Sequence, residues 1–215
     1  RNFGIDAYAL KSANETVQDK NGSYGLAVTY PNDTWNIGVD WRRVERNFNP
    51  ALGFVQRNDI SRINTTSNLG VRPHELLGLR RIFFQFQVNR FVRLERGQIE
   101  SWRVFTAPIH LTWNSGDRFE FNWVPTFERL FAPFRLSGLT LPPGDYRFDR
   151  YRIEFASSPS RAWKVDTTWW LGRYWSGRAD QITGLFQYKW APHVDTSFRY
   201  DQTFARLKEG SFAAR

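Results

Sequence analysis

The residues that most often carry out catalysis are scattered along this chain and share no recognisable spacing. Its three histidines, His74, His110 and His193, belong to no HExxH motif and to no close cluster of metal-ligating side chains. No GxSxG elbow marks one serine as a nucleophile. We therefore predict no catalytic residues, no metal site, no cofactor and no enzymatic activity. A membrane hydrolase is kept as a third alternative, because catalytic triads are assembled in space rather than along the chain.

Acidic and basic side chains alternate along several segments that read as strands. Two acidic pairs, Glu100 with Glu120 and Glu154 with Asp166, resemble the paired carboxylates that cleave glycosidic bonds. Arginine and lysine share the same polar faces, so ion pairing explains these carboxylates better than catalysis does. We predict a charge network on the polar face that consists of Arg150, Arg152, Glu154, Lys164 and Asp166.

Aromatic residues make up 17% of the chain, which is high for a water-soluble protein of this length. Most Trp residues stand near the ends of predicted strands, with aliphatic residues between them, as in the aromatic girdles of membrane barrels. One local cluster has a second interpretation, because exposed aromatic rings also stack on sugar rings. We predict Trp170, Tyr174 and Trp175 as a candidate sugar-stacking site.

The segment 45–59 is the best candidate for a specific functional loop. Asn49-Pro50 and Leu52-Gly53 indicate tight turns, and the segment is too apolar to be a freely solvated loop. We predict that it packs on the rim or in the mouth of a barrel, or that a partner covers it. The residues singled out are Phe48, Asn49, Pro50, Gly53, Phe54 and Arg57.

A second connecting segment, 125–145, is also more apolar than a loop should be. We predict that it caps a lumen, rests in the outer membrane interface, or contacts another protein chain. Its apolar residues are Phe127, Leu130, Phe131, Phe134, Leu136, Leu139 and Leu141.

The elements that must position these residues are strands with one apolar and one polar face. Alternation with a period of two places successive side chains on opposite faces of a strand. Helical periodicity is weak, and no apolar run approaches the roughly 18 residues of a membrane-spanning helix. The clearest apolar set is Trp35, Ile37, Val39 and Trp41, and the pattern recurs at 105–113, 119–123 and 165–171.

About eleven strands are predicted, several of them as long as a tilted membrane strand. They lie near 2–12, 23–31, 34–44, 60–70, 78–92, 98–113, 117–124, 146–157, 161–172, 177–190 and 193–201. Long connections are predicted at 13–22, 45–59, 125–145 and from 202 onward, with short ones between, which is typical of outer-membrane barrels. Because single-chain bacterial barrels have even strand counts, we predict one β-barrel domain over 1–215, truncated at both ends.

The chain is strongly basic, with a net charge of +9 and a sequence pI of about 10.2. Its basic residues are spread through strands and loops and are interleaved with acidic ones. A nucleic-acid-binding protein normally clusters them on one face, so we predict no nucleic-acid partner. Arginine at strand ends is better suited to anionic headgroups, and arginine on the polar face to a lumen that attracts anions. With no cysteine, disulfides and thiolate sites are excluded.

The segment Phe48–Asp59, with the sequence FNPALGFVQRND, resembles a recurring stretch in a bacterial family, the domain of unknown function 5916. Pro143–Phe148 (PGDYRF), Ser160-Arg161 and Leu207–Phe212 (LKEGSF) match the same family pattern. The resemblance covers about 48–212. It implies an outer-membrane barrel that commonly follows a module similar to family 9 carbohydrate-binding modules. It implies no catalytic or ligand residues.

These observations predict an all-β fold, an antiparallel up-and-down transmembrane β-barrel seen as part of a larger one. The predicted location is the bacterial outer membrane, and the predicted role is structural or that of a conduit, extending to glycan transport or docking. The predicted partners are outer-membrane lipid, glycan and other protein chains. The alternatives are a soluble β-sandwich that binds carbohydrate and an outer-membrane hydrolase.

Overall fold

The structure, a computed structural model, describes residues 3–13, 19–50, 53–191 and 193–214. This part of the chain is all-β and contains fourteen strands. They are β1 (Gly4–Lys11), β2 (Gly22–Tyr30), β3 (Trp35–Val44), β4 (Ile60–Val71), β5 (Leu79–Arg93), β6 (Ile99–Trp113), β7 (Arg118–Leu130), β8 (Phe134–Leu136), β9 (Leu139–Leu141), β10 (Gly144–Ala156), β11 (Trp163–Tyr174), β12 (Gly177–Ala191), β13 (Val194–Leu207) and β14 (Gly210–Ala214). Among the described residues, no helix is long and apolar enough to cross a membrane.

Twelve strands form one sheet in the order β1-β2-β3-β4-β5-β6-β7-β10-β11-β12-β13-β14, and β8 pairs with β9 in a separate hairpin. Each sheet strand therefore lies beside its neighbours in the chain, as an up-and-down arrangement requires. The all-β, antiparallel part of the predicted fold class is confirmed. The sheet is not closed into a barrel within the described residues, and β1 and β14 are its edge strands.

Register follows the alternation seen in the sequence. In the pairing of β2 with β3, Leu26 stands opposite Trp41 and Val28 opposite Val39, so that apolar side chains share one face. A shift of one residue would move every one of these side chains to the other face. The apolar pattern thus excludes a shift of one residue in this pairing.

Two predicted loops are wrong in detail. The segment 125–145 is not a single loop, because β7 continues to Leu130, β10 begins at Gly144, and the hairpin β8–β9 lies between them. A loop from 202 onward is also wrong, because β13 runs to Leu207 and then turns into β14. The polar run at 201–203 looked like a loop, but Gln202 is buried and its amide donates to the carbonyl of Ala214 at 3.1 Å.

The chain divides into two compact units. Unit 1 comprises residues 1–68 and 86–104, and unit 2 comprises 69–85 and 105–215. In unit 1 the buried apolar residues include Phe48, within the 45–59 connection, and Ile60, directly after it. In unit 2 they include Val124 and Leu141. The single domain over 1–215 stays a prediction.

Very few side chains are fully buried in the described part of the chain. The largest of them are Leu141, Val124 and Asn122, and one of these three is polar. A sheet packed against a second sheet would instead bury one face of each strand. Many large apolar side chains of the described strands are therefore exposed, among them Ile5, Trp169 and Phe198.

Candidate functional site

In unit 1, the strands β1, β2 and β3 present an exposed apolar face. Ile5 stands opposite Val28, and Val28 opposite Val39, in consecutive strands. Ile5 is 62% and Val39 42% exposed, and Val28 between them is half-buried. The indole nitrogens of Trp35 and Trp41, toward the two ends of β3, each donate to a serine of β4, Ser67 and Ser61 respectively, at 3.0 Å.

Unit 2 has an equivalent apolar face on β10 to β13. Ile153 stands opposite Trp169, Trp169 opposite Ile182, and Phe186 opposite Phe198. Trp169 Nε1 donates to Asp180 at 3.2 Å, and elsewhere on this face Trp123 Nε1 donates to Asp149 at 3.0 Å. Each of these indoles thus combines an uncovered ring with a satisfied polar edge, which is the chemistry of a residue at a membrane interface.

The polar face of unit 2 carries a network of ion pairs around Glu120. Glu120 is only 4% exposed and accepts hydrogen bonds from Arg152 at 2.6 Å and Asn122 at 2.8 Å. Arg152 also pairs with Glu154 at 3.0 Å, and Glu154 accepts from Arg118. Each carboxylate of this network has a cationic partner. Positive and negative charges therefore balance locally on this face.

The predicted charge network is thus partly assembled. Arg152 and Glu154 lie in the network around Glu120, while Lys164 and Asp166 form a pair of their own at 2.7 Å. Arg150 stands apart, since its guanidinium donates to the carbonyl oxygen of Ala179 and lies over the ring of Tyr174. Its partner is a backbone carbonyl on β12, two strands away from β10 in the sheet. Such a contact cannot be predicted from residue types alone.

The sequence analysis missed two members of this network. Asn122 is fully buried and donates to both Glu120 and the carbonyl of Thr106. His110 Nδ1 lies 3.6 Å from Glu120, and its ring packs against Phe83 with ring centres 5.1 Å apart. Only the register of the strands brings His110 to a carboxylate.

The candidate sugar-stacking residues have partners within the protein. Trp175 contacts the rings of Phe134, Tyr146, Phe148 and Tyr174, with ring centres 5.3 to 6.4 Å apart. Trp170 lies beside Arg152, whose guanidinium carbon is 5.7 Å from the ring centre. The cluster around Trp175 thereby holds the hairpin β8–β9 against the turn between β11 and β12. Sugar stacking stays a prediction.

The 45–59 connection is firmly attached to unit 1. Phe48 is buried, and the amide of Asn49 donates to Ser12 Oγ at 3.0 Å. The side chain of Asn58 donates back to the carbonyl of Phe48 at 3.0 Å, closing the segment on itself. Arg57 Nη1 donates to Ser101 at 3.0 Å. Residues 51 and 52 of the predicted motif lie outside the described residues.

An ion pair fastens the end of this connection to the turn between β5 and β6. Arg46 pairs with Glu95 and lies 3.8 Å from Asp59, whose carboxylate and carbonyl accept the amides of Glu95 and Leu94. The hydrogen bond from Arg46 lowers the pKa of Glu95 and raises that of Arg46.

Between this connection and the polar face of unit 1 lies a cleft of about 600 Å³. Arg42, Arg57 and Arg62 line it, and none of its described lining residues is a carboxylate. Arg42 pairs with Asp40 at 3.3 Å and Arg57 with Glu100 at 3.6 Å, both outside the lining. Arg57 and Arg62 lie over the ring of Phe91, with guanidinium carbons 4.6 and 5.8 Å from its centre. The predicted motif residues Phe48, Pro50 and Phe54 form part of the wall, and Phe54 is 90% exposed. The cleft thus combines positive charge, amide groups and aromatic surface.

Across the residues that the structure describes, no group of three or more His, Asp or Glu side chains is placed to hold a metal ion. No protein-family model, curated protein or solved structure matches the chain. The resemblance to the domain of unknown function 5916 therefore stays a prediction that rests on the motifs quoted above.

Proposed function

We propose that this chain forms part of the wall of an outer-membrane β-barrel, with its apolar face against lipid and its polar face toward an aqueous lumen. The observation that carries the proposal is the exposed apolar face of each unit, which includes indoles whose nitrogens are hydrogen-bonded. Monomeric soluble proteins rarely expose contiguous apolar patches of more than a few hundred Å². In each unit, uncovered aromatic and aliphatic side chains instead share one face of several neighbouring strands.

The proposal includes closure of the sheet edges. Open edges expose unpaired N–H and C=O groups, which cost several kcal/mol each in hydrocarbon. The edge strands β1 and β14 must therefore find partner strands when the protein is in a bilayer. The role that follows is a structural wall or a conduit for polar solutes.

Labelling at neighbouring positions of one strand tests this function. The chain has no cysteine, so single cysteines can be introduced without background. Ile182→Cys lies on the apolar face of β12 and Thr183→Cys on the polar face. After reconstitution into liposomes, an environment-sensitive fluorophore at 182 should show blue-shifted emission and quenching by brominated acyl chains, and one at 183 should not.

Val39→Cys and Asp40→Cys form the matched pair in unit 1. Equal emission at both members of each pair, or a chain that stays monomeric and folded without detergent, would overturn the membrane assignment. The carbohydrate-binding sandwich would then be the better explanation.

The cleft below the 45–59 connection favours a second candidate function, the docking of an acidic glycan. Its three arginines are suited to carboxylate or sulfate groups, and its aromatic walls to sugar rings. Isothermal titration with oligogalacturonate should show binding that Arg62→Gln weakens and that neutral oligosaccharides of equal length lack. Equal affinity for neutral and acidic oligosaccharides would contradict this function.

A further inference from the structure

Three arginines stand side by side across β11, β12 and β13. Arg173 is opposite Arg178, and Arg178 is opposite Arg206, and all three side chains are exposed. Directly opposite residues in antiparallel strands have Cβ atoms about 4.5–5.5 Å apart, and like charges there repel each other. This arginine stripe therefore works against the stability of the sheet unless an anion neutralises it.

The stripe continues the apolar face of unit 2. Alternation from Trp169 through Leu171 to Arg173 keeps these side chains on one face, and Ile182 leads to Arg178 in the same way. Arg173 lies four residues beyond Trp169, or about 13 Å along the strand. If the indole of Trp169 marks the membrane interface, the arginines stand at the level of the headgroups.

Asp149 and Asp180 lie near the stripe, but in the described part of the chain neither forms an ion pair with its arginines. Asp180 accepts from Trp169 Nε1 and Asp149 from Trp123 Nε1. Among the described residues, none of the three arginines forms an ion pair.

Two depressions flank the stripe and connect it to apolar surface. Their volumes are about 380 and 690 Å³, and Arg178 and Asp180 line both. Tyr151 and Leu171 line the smaller one and Phe204 the larger. Positive charge beside uncovered apolar surface is the combination that a lipid with an anionic headgroup requires, because its phosphate and its acyl chains are covalently joined.

We propose that the arginine stripe binds the phosphate of a membrane lipid that carries a phosphomonoester headgroup, with the acyl chains on the apolar face beside it. The proposal rests on the proposed function, since that function places the face in lipid. Guanidinium groups bind phosphate oxygens in pairs, and a phosphomonoester carries a charge of about −1.5 to −2 near neutral pH. One such group offsets about half to two-thirds of the positive charge of the three arginines.

The test uses the full chain in neutral detergent micelles, with phosphatidic acid as the probe and phosphatidylcholine as the reference lipid. Native mass spectrometry should show phosphatidic acid retained at least about tenfold more tightly than phosphatidylcholine. Arg178→Gln should weaken its binding about fivefold, since one basic residue near an anionic membrane surface contributes about that factor. Arg199→Gln, an exposed arginine on the polar face of β13, should leave it unchanged.

Stability measurements separate a binding role from a structural one. In detergent without anionic lipid, Arg178→Gln should leave the unfolding midpoint unchanged or raise it. The substitution removes the repulsion of Arg178 by Arg173 on one side and by Arg206 on the other. A lowered midpoint would indicate that Arg178 supports the fold and would overturn the proposal. So would equal retention of both lipids, or complete competition by inorganic phosphate at a matched phosphate concentration, which would indicate a site for the free anion.

Failure of this proposal is distinguishable from failure of the proposed function. A chain that passes the paired-cysteine test and shows no preference for phosphatidic acid overturns the stripe alone. A chain that fails the paired-cysteine test, yet retains phosphatidic acid through Arg178, overturns the membrane wall and supports the stripe.

Discussion

The carboxylate of Asp117 stabilises a turn in unit 2 by accepting several hydrogen bonds. It lies in the connection between β6 and β7 and accepts hydrogen bonds from Arg161, from Ser115 Oγ at 2.7 Å and from the amide of Ser158 at 2.9 Å. These bonds, first the one from Arg161, hold the pKa of Asp117 far below its ordinary value. The turn is thereby joined to the connection that follows β10.

Asp117→Asn should destabilise the fold by about 1 kcal/mol at pH 7, because a partly exposed charge-assisted pair is lost. The pKa of Asp117 is lower in the folded state than the roughly 3.9 of an unfolded chain. Its contribution is therefore fully present above about pH 4 and is lost as the pH falls through the folded-state value. Denaturant unfolding in detergent at pH 7 and pH 3 should show the wild-type advantage shrinking at pH 3.

Asp6→Asn is the control for that experiment, because Asp6 is exposed on the edge strand β1. The difference in stability between the wild type and Asp6→Asn should be the same at pH 7 and at pH 3. A wild-type advantage that is equal at both pH values would contradict the assigned role of Asp117.

Glu120 shows what a buried charge demands of its neighbours. The side chain of Glu120 is almost fully buried and pairs with Arg152 at 2.6 Å, and Glu120→Gln removes its negative charge. We expect a loss of about 1–3 kcal/mol in the free energy of unfolding, since a buried charged donor loses its best acceptor. Denaturant titration of the refolded protein measures it. Glu95→Gln, in the exposed pair with Arg46, should cause no measurable change, and equal effects of both variants would contradict this account.

At the scale of elements, the 45–59 connection is held by one buried ring and has a second ring fully in solvent. Phe48→Ala should release the connection from the strands beneath it, because it removes a buried ring and leaves a cavity. Amide exchange and limited proteolysis within 45–59 should both become faster. Phe54→Ala, which alters a 90% exposed ring, should leave both rates unchanged. Faster exchange in both variants would show that the connection is not anchored by Phe48.

The strands themselves were largely predictable from alternation, and the errors have identifiable causes. The predicted strand 34–44 is the observed β3, Trp35–Val44, because its alternation is uninterrupted. The predicted end at 124 was wrong because Pro125 interrupts the apolar pattern, although β7 continues to Leu130 and pairs with β10 along that length. Strand β14 was missed because Gly210 and the residues after it are few and weakly patterned.

The candidate sites were predictable only where both partners lie on the same or adjacent strands. Arg152 and Glu154 are two residues apart and share a face, so that alternation alone brings them together. The acceptor of Arg150 is a backbone carbonyl, and the three stripe arginines come together only through the register of β11, β12 and β13. Register is a long-range property, and residue types within one strand do not determine it.

Across the whole molecule, which has a net charge of +9, basic residues differ in whether a carboxylate pairs with them. On the polar face of unit 2, arginines such as Arg152 and Arg118 are matched by carboxylates, so this surface has little net field. Arginines are also concentrated in the arginine stripe and in the cleft below the 45–59 connection. In the described part of the chain, the stripe arginines form no ion pairs. Ion pairing thus accounts for basic residues on the polar face of unit 2 and does not account for those of the stripe.

The edges of the sheet provide the most direct test of the wall as a whole. In the described residues β1 pairs only with β2, and β14 only with β13, which leaves alternate N–H groups of each edge strand without a strand partner. A bilayer does not tolerate such groups. Hydrogen exchange in liposomes should therefore find all amides of Gly4–Lys11 and Gly210–Ala214 protected. The amides of the loop 45–59 that have no hydrogen-bond acceptor should exchange freely and provide the internal reference. Rapid exchange of every second amide in β1 and β14 would show an open sheet, and a wall in lipid would then be excluded on energetic grounds.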